Sequence, residues 1–305
     1  MNILVSGSLA YDQIMTYSGE FADHIFIKES KDLNVSFLVN NMSRQFGGTA
    51  GNIAYNLALL GQQATIIASL GKDYSQYFEW LASNGIGTEA LTIDESRYTA
   101  TAYISTDIRG NQIAFFYPGS MEHPSKTPLP DSDATETFAT VSPGNIADMS
   151  MLSAHYKQVQ IPYIFDPGQQ IPALPEADLI ESIRGSFLLI CNAYEFEMIK
   201  SKTHQSTDAL LQHTNQIIVT KGAEGSLLIT PEEVLPIEAY PVESAVDPTG
   251  AGDAYRAGLI KGITSGKSMR ESAKMGTTCA SFCVETIGTQ NHRFTIEEFN
   301  YRNQR

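Results

Sequence analysis

The sequence is poor in cysteine, in positive charge and in long hydrophobic runs. Three cysteines among 305 residues are too few for a disulfide framework and suit a reducing compartment, so we expect a cytoplasmic protein. Lys and Arg number 20 against 34 Asp and Glu, and the formal net charge of −14 disfavours a nucleic-acid or membrane-surface partner. No apolar run is long enough to span a bilayer, so no transmembrane helix is predicted.

Several common signatures are also missing. The dinucleotide motif G-x-G-x-x-G is absent, because Gly250-Ala251-Gly252 is followed by Tyr255 where the third glycine would stand, and this disfavours a dehydrogenase. Residues 262–268 (GITSGKS) are one residue short of a P-loop and follow a helical pattern instead of a strand. The six histidines show no metal-ligand spacing.

The pattern that is present alternates short apolar strands with helices. Strands are predicted at 3–6, 64–69, 138–141, 163–165, 187–191, 216–219, 226–230 and 234–237. Helices are predicted at 49–60, 74–84, 254–262, 269–285 and from 294 onward. This alternation predicts an α/β fold, built as one large domain over residues 1–305, with ligands beyond the carboxyl ends of the strands.

One pair of strands does not fit the alternation. Residues 99–106 and 112–117 flank a polar turn and predict an antiparallel hairpin, and residues 34–39 alternate as a further strand. We expect these strands to form a small sheet, inserted from about 13–46 and 98–118, that covers the site as a lid. Its open edge predicts a homodimer formed through the lid.

A glycine-rich turn late in the chain carries the main chemical signal. Gly250, Ala251 and Gly252 leave backbone N–H groups bare at the start of a helix, which is a favourable place for an anion. Asp253 would repel a resting phosphate there, but it suits a transferring phosphoryl group if it takes a proton from the attacking hydroxyl. The alternative is that Asp253 only caps the helix.

A second glycine-rich turn lies near the N-terminal end of the chain. Gly47 and Gly48 would let a ligand approach the backbone, and Asn52 can donate to and accept from a hydroxyl, although tight helix packing explains the glycines equally well. Asp12 follows the first strand and could bind a polyhydroxylated substrate, or it could cap a turn.

Three later strands end in polar residues. The adjacent amides of Gln169 and Gln170 could bind the edge of a heterocyclic base, or simply form a polar loop. Glu195, three residues after Asn192, could hold Mg²⁺ through water or complete a capping box. The turn that contains Thr220, Gly222 and Gly225 could meet a nucleotide phosphate.

Four motifs occur together, in a fixed order along nearly the whole chain. They are residues 47–52 (GGTAGN), Asn192-x-x-Glu195, Thr220-x-Gly222-x-x-Gly225 and residues 247–253 (DPTGAGD). In this combination the chain resembles the ribokinase-like, phosphofructokinase-B carbohydrate kinase family. Within it the chain is most similar to bacterial adenosine kinases, through residues 7–12 (GSLAYD), 35–39 (VSFLV), 116–119 (FYPG), 166–170 (DPGQQ) and 288–290 (GTQ).

The resemblance implies a ribokinase-like three-layer α/β/α domain with a small β-sheet lid, and an ATP-dependent kinase that phosphorylates a primary hydroxyl with Mg²⁺. By resemblance, Asp253 is the general base, and the anion hole is formed by Gly250, Ala251 and Gly252. The nucleoside would be bound by Asp12, Gly48, Asn52, Phe116, Gln169 and Gln170. ATP would be bound by Asn192, Thr220, Gly222 and Gly225. Mg²⁺ would be linked to Glu195, and a monovalent cation such as K⁺ to Asp247 and Thr249.

The chain also departs from the family pattern. Ala102 stands where some adenosine kinases have a second aromatic against the base, and Pro248 stands where many relatives have threonine. The leading hypothesis is a kinase that converts adenosine and ATP to AMP and ADP. Alternatives are a kinase of another nucleoside such as cytidine, a sugar kinase of the same family, and a nucleoside-binding protein without catalysis.

Overall fold

The computed structural model describes residues 1–25, 35–126, 129 and 132–305. Its strands are β1 (Asn2–Ser6), β2 (Ala10–Thr16), β3 (Asn41–Gly47), β4 (Ala64–Gly71), β5 (Leu91–Asp94), β6 (Ala100–Thr106), β7 (Gln112–Tyr117), β8 (Thr137–Val141), β9 (Tyr163–Phe165), β10 (Leu188–Asn192), β11 (Ile217–Thr220), β12 (Ser226–Ile229) and β13 (Val234–Ile237). Its helices are α1 (Thr49–Leu59), α2 (Ser75–Ser83), α3 (Ile146–Gln158), α4 (Glu176–Ile183), α5 (Ala193–Thr203), α6 (Thr207–Leu210), α7 (Ala251–Thr264), α8 (Met269–Val284) and α9 (Ile296–Asn303).

The described residues form a large sheet of nine strands, in the order β13-β12-β11-β10-β9-β8-β1-β4-β5. Neighbouring strands from β11 to β5 are parallel, while β12 and β13 run antiparallel to their neighbours. Successive side chains of a strand point to opposite faces, so Ile3 and Val5 join one apolar cluster and Leu4 joins another.

Helices cover both faces of this sheet. Apolar side chains of α1, α2, α7, α8 and α9 belong to the cluster on one face, and those of α3, α4, α5 and α6 to the cluster on the other. The predicted three-layer α/β/α fold is therefore confirmed. Among the described residues, no helix combines the length and the apolar character that a membrane crossing requires.

A second, small sheet has the strand order β3-β2-β6-β7. The predicted hairpin is confirmed, because β6 and β7 pair antiparallel around the turn after Thr106. Strands β2 and β6 are parallel, and β2 and β3 are antiparallel.

The prediction of a strand at 34–39 is wrong where it can be checked. Residue 34 lies outside the described residues, and 35–39 have no regular structure. Phe37 instead packs its ring 5.2 Å from that of Tyr17 and 5.0 Å from that of Phe21, so the residue joins a local aromatic cluster and not a sheet. The strand that completes the small sheet is β3, which begins with four exposed residues, only one of them apolar, and so lacks an apolar alternation.

Candidate active site

The late glycine-rich turn opens α7, as predicted. Gly250 holds the N-cap position with φ +79°, a left-handed conformation that favours glycine. Ala251 N–H donates to the carbonyl of Pro248 at 3.2 Å, whereas the N–H groups of Gly250 and Gly252 have no partner among the described residues. A Cβ at residue 252 would meet only the Arg256 guanidinium, at 3.0 Å, so the backbone is open to a ligand there.

Asp253 is the third residue of α7, and Gly250, not Asp253, is the N-cap residue. Its Oδ2 accepts a hydrogen bond from Nδ2 of Asn52 at 2.8 Å, so the alternative of a simple helix cap is wrong. Burial raises the pKa of Asp253 to about 6, against the lowering effect of Arg256 and of the Asn52 hydrogen bond. A carboxylate with this pKa is mostly ionised at neutral pH yet can accept a proton, which suits a general base.

A buried ion pair supports the start of α7. Nη2 of Arg256 donates to Oδ1 of Asp166 at 2.7 Å, and Nη1 donates to the carbonyl of Gly252 at 2.9 Å. Asp166 is 1% exposed and Arg256 is 7% exposed, so each compensates the charge of the other. No role was predicted for this pair, although an arginine within an apolar helix face is a recognisable signal of a buried partner.

The early glycine-rich turn opens α1, also as predicted. Gly48 is the N-cap residue with φ +89°, and a Cβ there would lie 2.6 Å from the carbonyl oxygen of Ser8. A Cβ at residue 47 would lie 2.4 Å from Oδ2 of Asp12. Both glycines are thus required for close packing, the alternative that the sequence left open, and Gly47 makes room for the Asp12 carboxylate.

Asp12 lies in the middle of β2, so the alternative of a turn cap is wrong. It pairs with Gln45 of β3 and Ala102 of β6, and Ala102 pairs with Phe116 of β7. Directly paired residues share a face of a sheet, so Asp12, Ala102 and Phe116 form one row on the same face. Burial raises the pKa of Asp12 to about 6, and the negative charge of Asp247 adds to the rise.

The two predicted amides differ in their surroundings. Gln169 and Gln170 lie in a 3-10 turn after β9. Gln169 is exposed, whereas Nε2 of Gln170 donates to the carbonyl of Gly144 at 2.8 Å.

The capping box predicted as an alternative for Asn192 and Glu195 is present. Oδ1 of Asn192 accepts from the N–H of Glu195, and Oε2 of Glu195 accepts from the N–H of Asn192, both at 2.8 Å. Burial raises the pKa of Glu195, and the hydrogen bond from Asn192 opposes this rise.

The turn after β11 contains two glycines with positive φ. Gly225, at +85°, packs so closely that a Cβ would lie 2.1 Å from the carbonyl oxygen of Ile237. Gly222, at +58°, has open space around the position of its missing Cβ. Hence packing explains Gly225, while Gly222 leaves room for a ligand.

Asp247 is held by backbone groups. Its Oδ1 accepts from the N–H of Thr249 and its Oδ2 from the N–H of Gly288, both at 2.9 Å. Burial alone would raise its pKa, but these hydrogen bonds and one from the Thr249 side chain outweigh it, so the pKa is lowered. Asp247 is therefore a stable anion beside the Gly250 turn.

Two cavities meet at the start of α7. The first, which we call the polar cavity, has a volume of about 860 Å³. Of the predicted site residues it is lined by Asp12, Gly48, Asn52, Phe116, Gln169, Gln170, Asn192, Glu195, Thr220, Gly222, Thr249, Gly250, Ala251, Gly252 and Asp253. Residues far apart in the sequence are thus brought together as predicted.

The second, which we call the apolar cavity, has a volume of about 530 Å³. Thr220, Gly222, Ala251 and Gly252 line both cavities. Gly225 lines only the apolar one, together with Ala239, Tyr240, Pro241, Val242, Tyr255, Ala280 and Val284. No role was predicted for these last seven residues, which lie on three segments of the chain outside the four motifs: residues 239–242, α7 and α8.

In the part of the chain that the structure describes, no three or more His, Cys, Asp or Glu side chains are grouped as a metal site. Mg²⁺, which often uses one or two carboxylates together with water and phosphate oxygens, is compatible with Glu195 in the polar cavity.

Comparisons with known proteins identify the family of this chain. A model of the pfkB family of carbohydrate kinases matches residues 8–295. A nucleoside kinase of Methanocaldococcus jannaschii is 30% identical over 273 residues, which cover 88% of this chain and 89% of the relative. Its crystal structure, described as an archaeal member of the ribokinase family, superimposes with a TM-score of 0.89 over 99% of this chain and 98% of that one.

A second solved relative is the nucleoside kinase of Burkholderia thailandensis. In complex with inosine it is 34% identical to this chain, with a TM-score of 0.88 over 99% of this chain and 97% of the other. The same kinase has also been solved in complex with ADP-inosine, with a TM-score of 0.83. The matched motifs, the fold and the family model agree, and the chain therefore belongs to the pfkB family of carbohydrate kinases, phosphotransferases that act on an alcohol group.

Proposed function

We propose that the protein transfers the γ-phosphoryl group of ATP to the 5′-hydroxyl of a nucleoside, with adenosine as the first candidate. The observation that carries this proposal is the position of Asp253. Its carboxylate, with a pKa of about 6, lies beside the N–H groups of Gly250 and Gly252, which have no partner in the described part of the chain, where the polar and apolar cavities meet.

The polar cavity is proposed to hold the nucleoside. Asp12 and Asn52 would bind the ribose hydroxyls, with Gly48 between them. Phe116, which is 55% exposed, would contact the base, and Gln169 and Gln170 would bind its polar edge. The volume lies within the usual range of small-molecule sites, about 300–1,000 Å³.

The apolar cavity is proposed to hold the adenine and ribose of ATP. Its walls are mostly aliphatic, and Thr220, Gly222 and Gly225 would contact the nucleotide through backbone groups. Gly252 lines both cavities, so a phosphate chain that starts in the apolar cavity would reach the Gly250–Gly252 turn beside Asp253.

This arrangement supports a phosphoryl transfer in which Asp253 is the base. Asp253 takes the proton of the 5′-hydroxyl while the oxygen of that hydroxyl bonds to the γ-phosphorus. The bond between the γ-phosphorus and the bridging oxygen breaks, which releases ADP. The N–H groups of Gly250 and Gly252 would donate to the oxygens of the moving phosphoryl group, with Ala251 completing the turn. Mg²⁺, when bound, neutralises phosphate charge, and Glu195 would contact it through water while Asn192 holds the Glu195 carboxylate in place.

A monovalent cation beside this turn is part of the same proposal. Asp247 and Thr249 would hold it, because the lowered pKa keeps Asp247 charged. Each oxygen of Asp247 already accepts one backbone N–H, so only its remaining lone pairs are free for a cation.

The choice of adenosine rests on sequence resemblance, while the solved relative was crystallised with inosine. Both are purine nucleosides. In the row on the small sheet, Ala102 gives the base no second aromatic contact beside Phe116, so the aromatic contribution to base selection would come from one side. We therefore expect a preference for purine nucleosides with limited discrimination between them.

A test follows directly. Release of ADP from ATP would be measured with adenosine, inosine, cytidine, ribose and fructose 6-phosphate, for the wild-type protein and for Asp253→Ala. We expect turnover with adenosine and inosine in the wild type, and nucleoside binding without turnover in Asp253→Ala. Turnover only with a sugar, or binding with no ADP release from any substrate, would refute the nucleoside-kinase proposal.

The small sheet is proposed to act as a lid and as the contact of a homodimer in the cytoplasm. Apolar side chains on the face opposite to Phe116 are exposed: Met42, Tyr103, Phe115 and Tyr117 are 36–69% exposed. Analytical ultracentrifugation of the wild type against Phe115→Lys tests this. A monomeric wild type at micromolar concentration would contradict it.

A further inference from the structure

A chain of hydrogen bonds runs from the half-buried Trp80 to Asp253. Nε1 of Trp80 donates to Oε1 of Gln290 at 2.7 Å, and Nε2 of Gln290 donates to Oδ1 of Asn52 at 2.9 Å. Nδ2 of Asn52 donates to Oδ2 of Asp253 at 2.8 Å. We call Trp80, Gln290 and Asn52 the relay.

The donor and acceptor groups of the side chains fix the orientation of the two amides in the relay. An indole N–H can only donate, so it requires the oxygen of the Gln290 amide, and the nitrogen of that amide must then face Asn52. The same argument turns the nitrogen of Asn52 toward Asp253. Gln290 is 1% exposed and Asn52 is 4% exposed, so water is poorly placed to satisfy these groups in another arrangement.

Tyr77 supports the same orientation. The second N–H of the Gln290 amide donates to the hydroxyl oxygen of Tyr77 at 3.0 Å, and that hydroxyl donates to the carbonyl of Gly47 at 2.7 Å. A Cβ at Gly51 would lie 2.0 Å from the Tyr77 hydroxyl and 3.0 Å from Nε2 of Gln290. The glycine at 51 therefore keeps open the space that the network occupies.

We propose that Trp80 and Gln290 are positioning residues for phosphoryl transfer, which fix the Asn52 amide so that Oδ2 of Asp253 remains an acceptor and Oδ1 receives the proton. This inference rests on the proposed role of Asp253 as the base. Among the described residues Oδ1 accepts no hydrogen bond. The proton of the acceptor hydroxyl passes to Oδ1 while the new bond from oxygen to the γ-phosphorus forms and ADP leaves.

The relay also limits what Asn52 can do for a substrate. Its side-chain oxygen accepts from Gln290, and one of its two side-chain N–H groups donates to Asp253. One N–H group is left for a nucleoside hydroxyl. Asn52 thus serves the base and the substrate with the same amide.

Other charged or titratable groups also act on Asp253, and the relay must be separated from them. Arg256 of α7 lowers the pKa of Asp253, while Asp166 after β9 and Glu195 of α5 raise it. Tyr77 of α2 and Cys283 of α8 also interact with the charge of Asp253. A test should therefore change the relay without adding or removing a charge.

Two neutral variants do this. Gln290→Met removes the middle of the relay and frees the Asn52 amide to reverse. Trp80→Phe keeps an aromatic ring but removes the donor that sets the direction, so the test survives if Gln290→Met does not fold. Tyr163→Phe is the matched control, because it removes a buried hydrogen bond of 2.8 Å to the Ser182 carbonyl in the apolar cluster on the opposite face of the large sheet.

The measurement is the pH titration of the Asp253 carboxyl carbon by ¹³C NMR, with the signal assigned by its loss in Asp253→Asn. Because a hydrogen bond to the ionised form lowers a carboxyl pKa, we expect the midpoint to rise by about one pH unit in Gln290→Met and by less in Trp80→Phe. In turnover of ATP with adenosine, kcat should fall about tenfold in Gln290→Met.

The outcomes are distinct. A midpoint that stays at the wild-type value in both relay variants, or that moves equally in Tyr163→Phe, overturns the relay. The titration requires no substrate, so it is independent of which nucleoside the protein uses. Full turnover by Asp253→Asn would instead refute the proposed base, whatever the titration shows.

Discussion

The two glycine-rich turns open helices that pack against each other, yet they use their glycines differently. A Cβ at Gly48, before α1, would meet backbone atoms of Ser8, Leu9 and Ala10 at 2.6–2.9 Å. A Cβ at Gly252, in α7, would meet only the Arg256 guanidinium at 3.0 Å. The same sequence signal therefore serves packing in α1 and access to backbone N–H groups in α7.

The polar residues of the two helix starts differ in the same sense. Asn52 of α1 is a neutral amide whose oxygen accepts a hydrogen bond from the buried Gln290, whereas Asp253 of α7 is a carboxylate. Both side chains line the polar cavity. The two are joined by one hydrogen bond of 2.8 Å. The comparison indicates that α1 is the support and α7 is the reactive side, and four predictions test it.

The largest expected effect is on the reactive side. Asp253→Asn should lower kcat by about 10²–10⁴-fold, the range typical of general-base catalysis, because the amide cannot take the proton. Since burial raises the pKa of Asp253, the ionised form costs the folded state free energy at neutral pH, so the variant should unfold at the same or a higher temperature. Steady-state kinetics and thermal unfolding measure both. A lower melting temperature together with a normal kcat would show that Asp253 supports the fold and does not act as the base.

The second prediction concerns the supporting side. Gly48→Ala should lower the free energy of unfolding by about 2–4 kcal/mol, because residue 48 has φ +89° and faces backbone atoms that cannot move aside. Gly252→Ala should change stability by about 1 kcal/mol or less but reduce kcat, since the methyl group occupies space at the phosphoryl site. Urea unfolding and kinetics on both variants check this. Equal losses of stability would remove the distinction between the two turns.

The third prediction is the pH dependence of kcat/KM. Asp253 and Asp12 both have a pKa raised to about 6, and the ionised forms are the active ones. Activity should therefore be constant above that pH and fall as the pH drops through about 6. Two required carboxylates give a limiting slope of about two in a logarithmic plot, and Asp12→Asn should reduce it to about one. A profile that is flat down to pH 5 would contradict both assignments.

The smallest effect is expected at a third helix start, that of α5, which has a capping box and no glycine. Glu195→Ala should cost about 1 kcal/mol of stability, because the N–H of Asn192 loses its acceptor. Glu195→Gln keeps that acceptor and should leave stability unchanged while raising the Mg²⁺ concentration needed for half-maximal activity. Unfolding and Mg²⁺ titrations separate the two roles. An unaltered Mg²⁺ requirement would indicate that Glu195 only caps the helix and does not contact Mg²⁺.

Local patterns were sufficient to predict much of this fold. The buried strands have short apolar runs, and the hairpin of β6 and β7 has a polar turn between alternating residues, so both were predicted close to their observed limits. The small sheet was predicted incompletely, because β2 carries Asp12 and Gln13 in its interior and β3 begins with four exposed residues. Their pairing stabilises them, and pairing is not visible in local periodicity.

Contacts between residues far apart in the sequence limited the prediction of the site in the same way. The motifs predicted Asp253 and many of the residues that line the polar cavity, and these lie together in the structure. The contact between Gln290 and Asn52 spans 238 residues, and the pair of Arg256 with Asp166 spans 90. Such partners follow from the fold and not from neighbouring sequence. Individual roles of the lining residues remain predictions that the variants above address.

The chain has a single tryptophan, Trp80, which lies in α2. Its ring is stacked 4.9 Å from that of Phe46 in β3 and 5.9 Å from that of Tyr55 in α1. The protein thus contains one tryptophan fluorophore, which can be excited apart from the tyrosines and is placed where any displacement of the small sheet would alter its surroundings. Its emission offers an optical signal for following, without a label, whether the small sheet closes as a nucleoside enters.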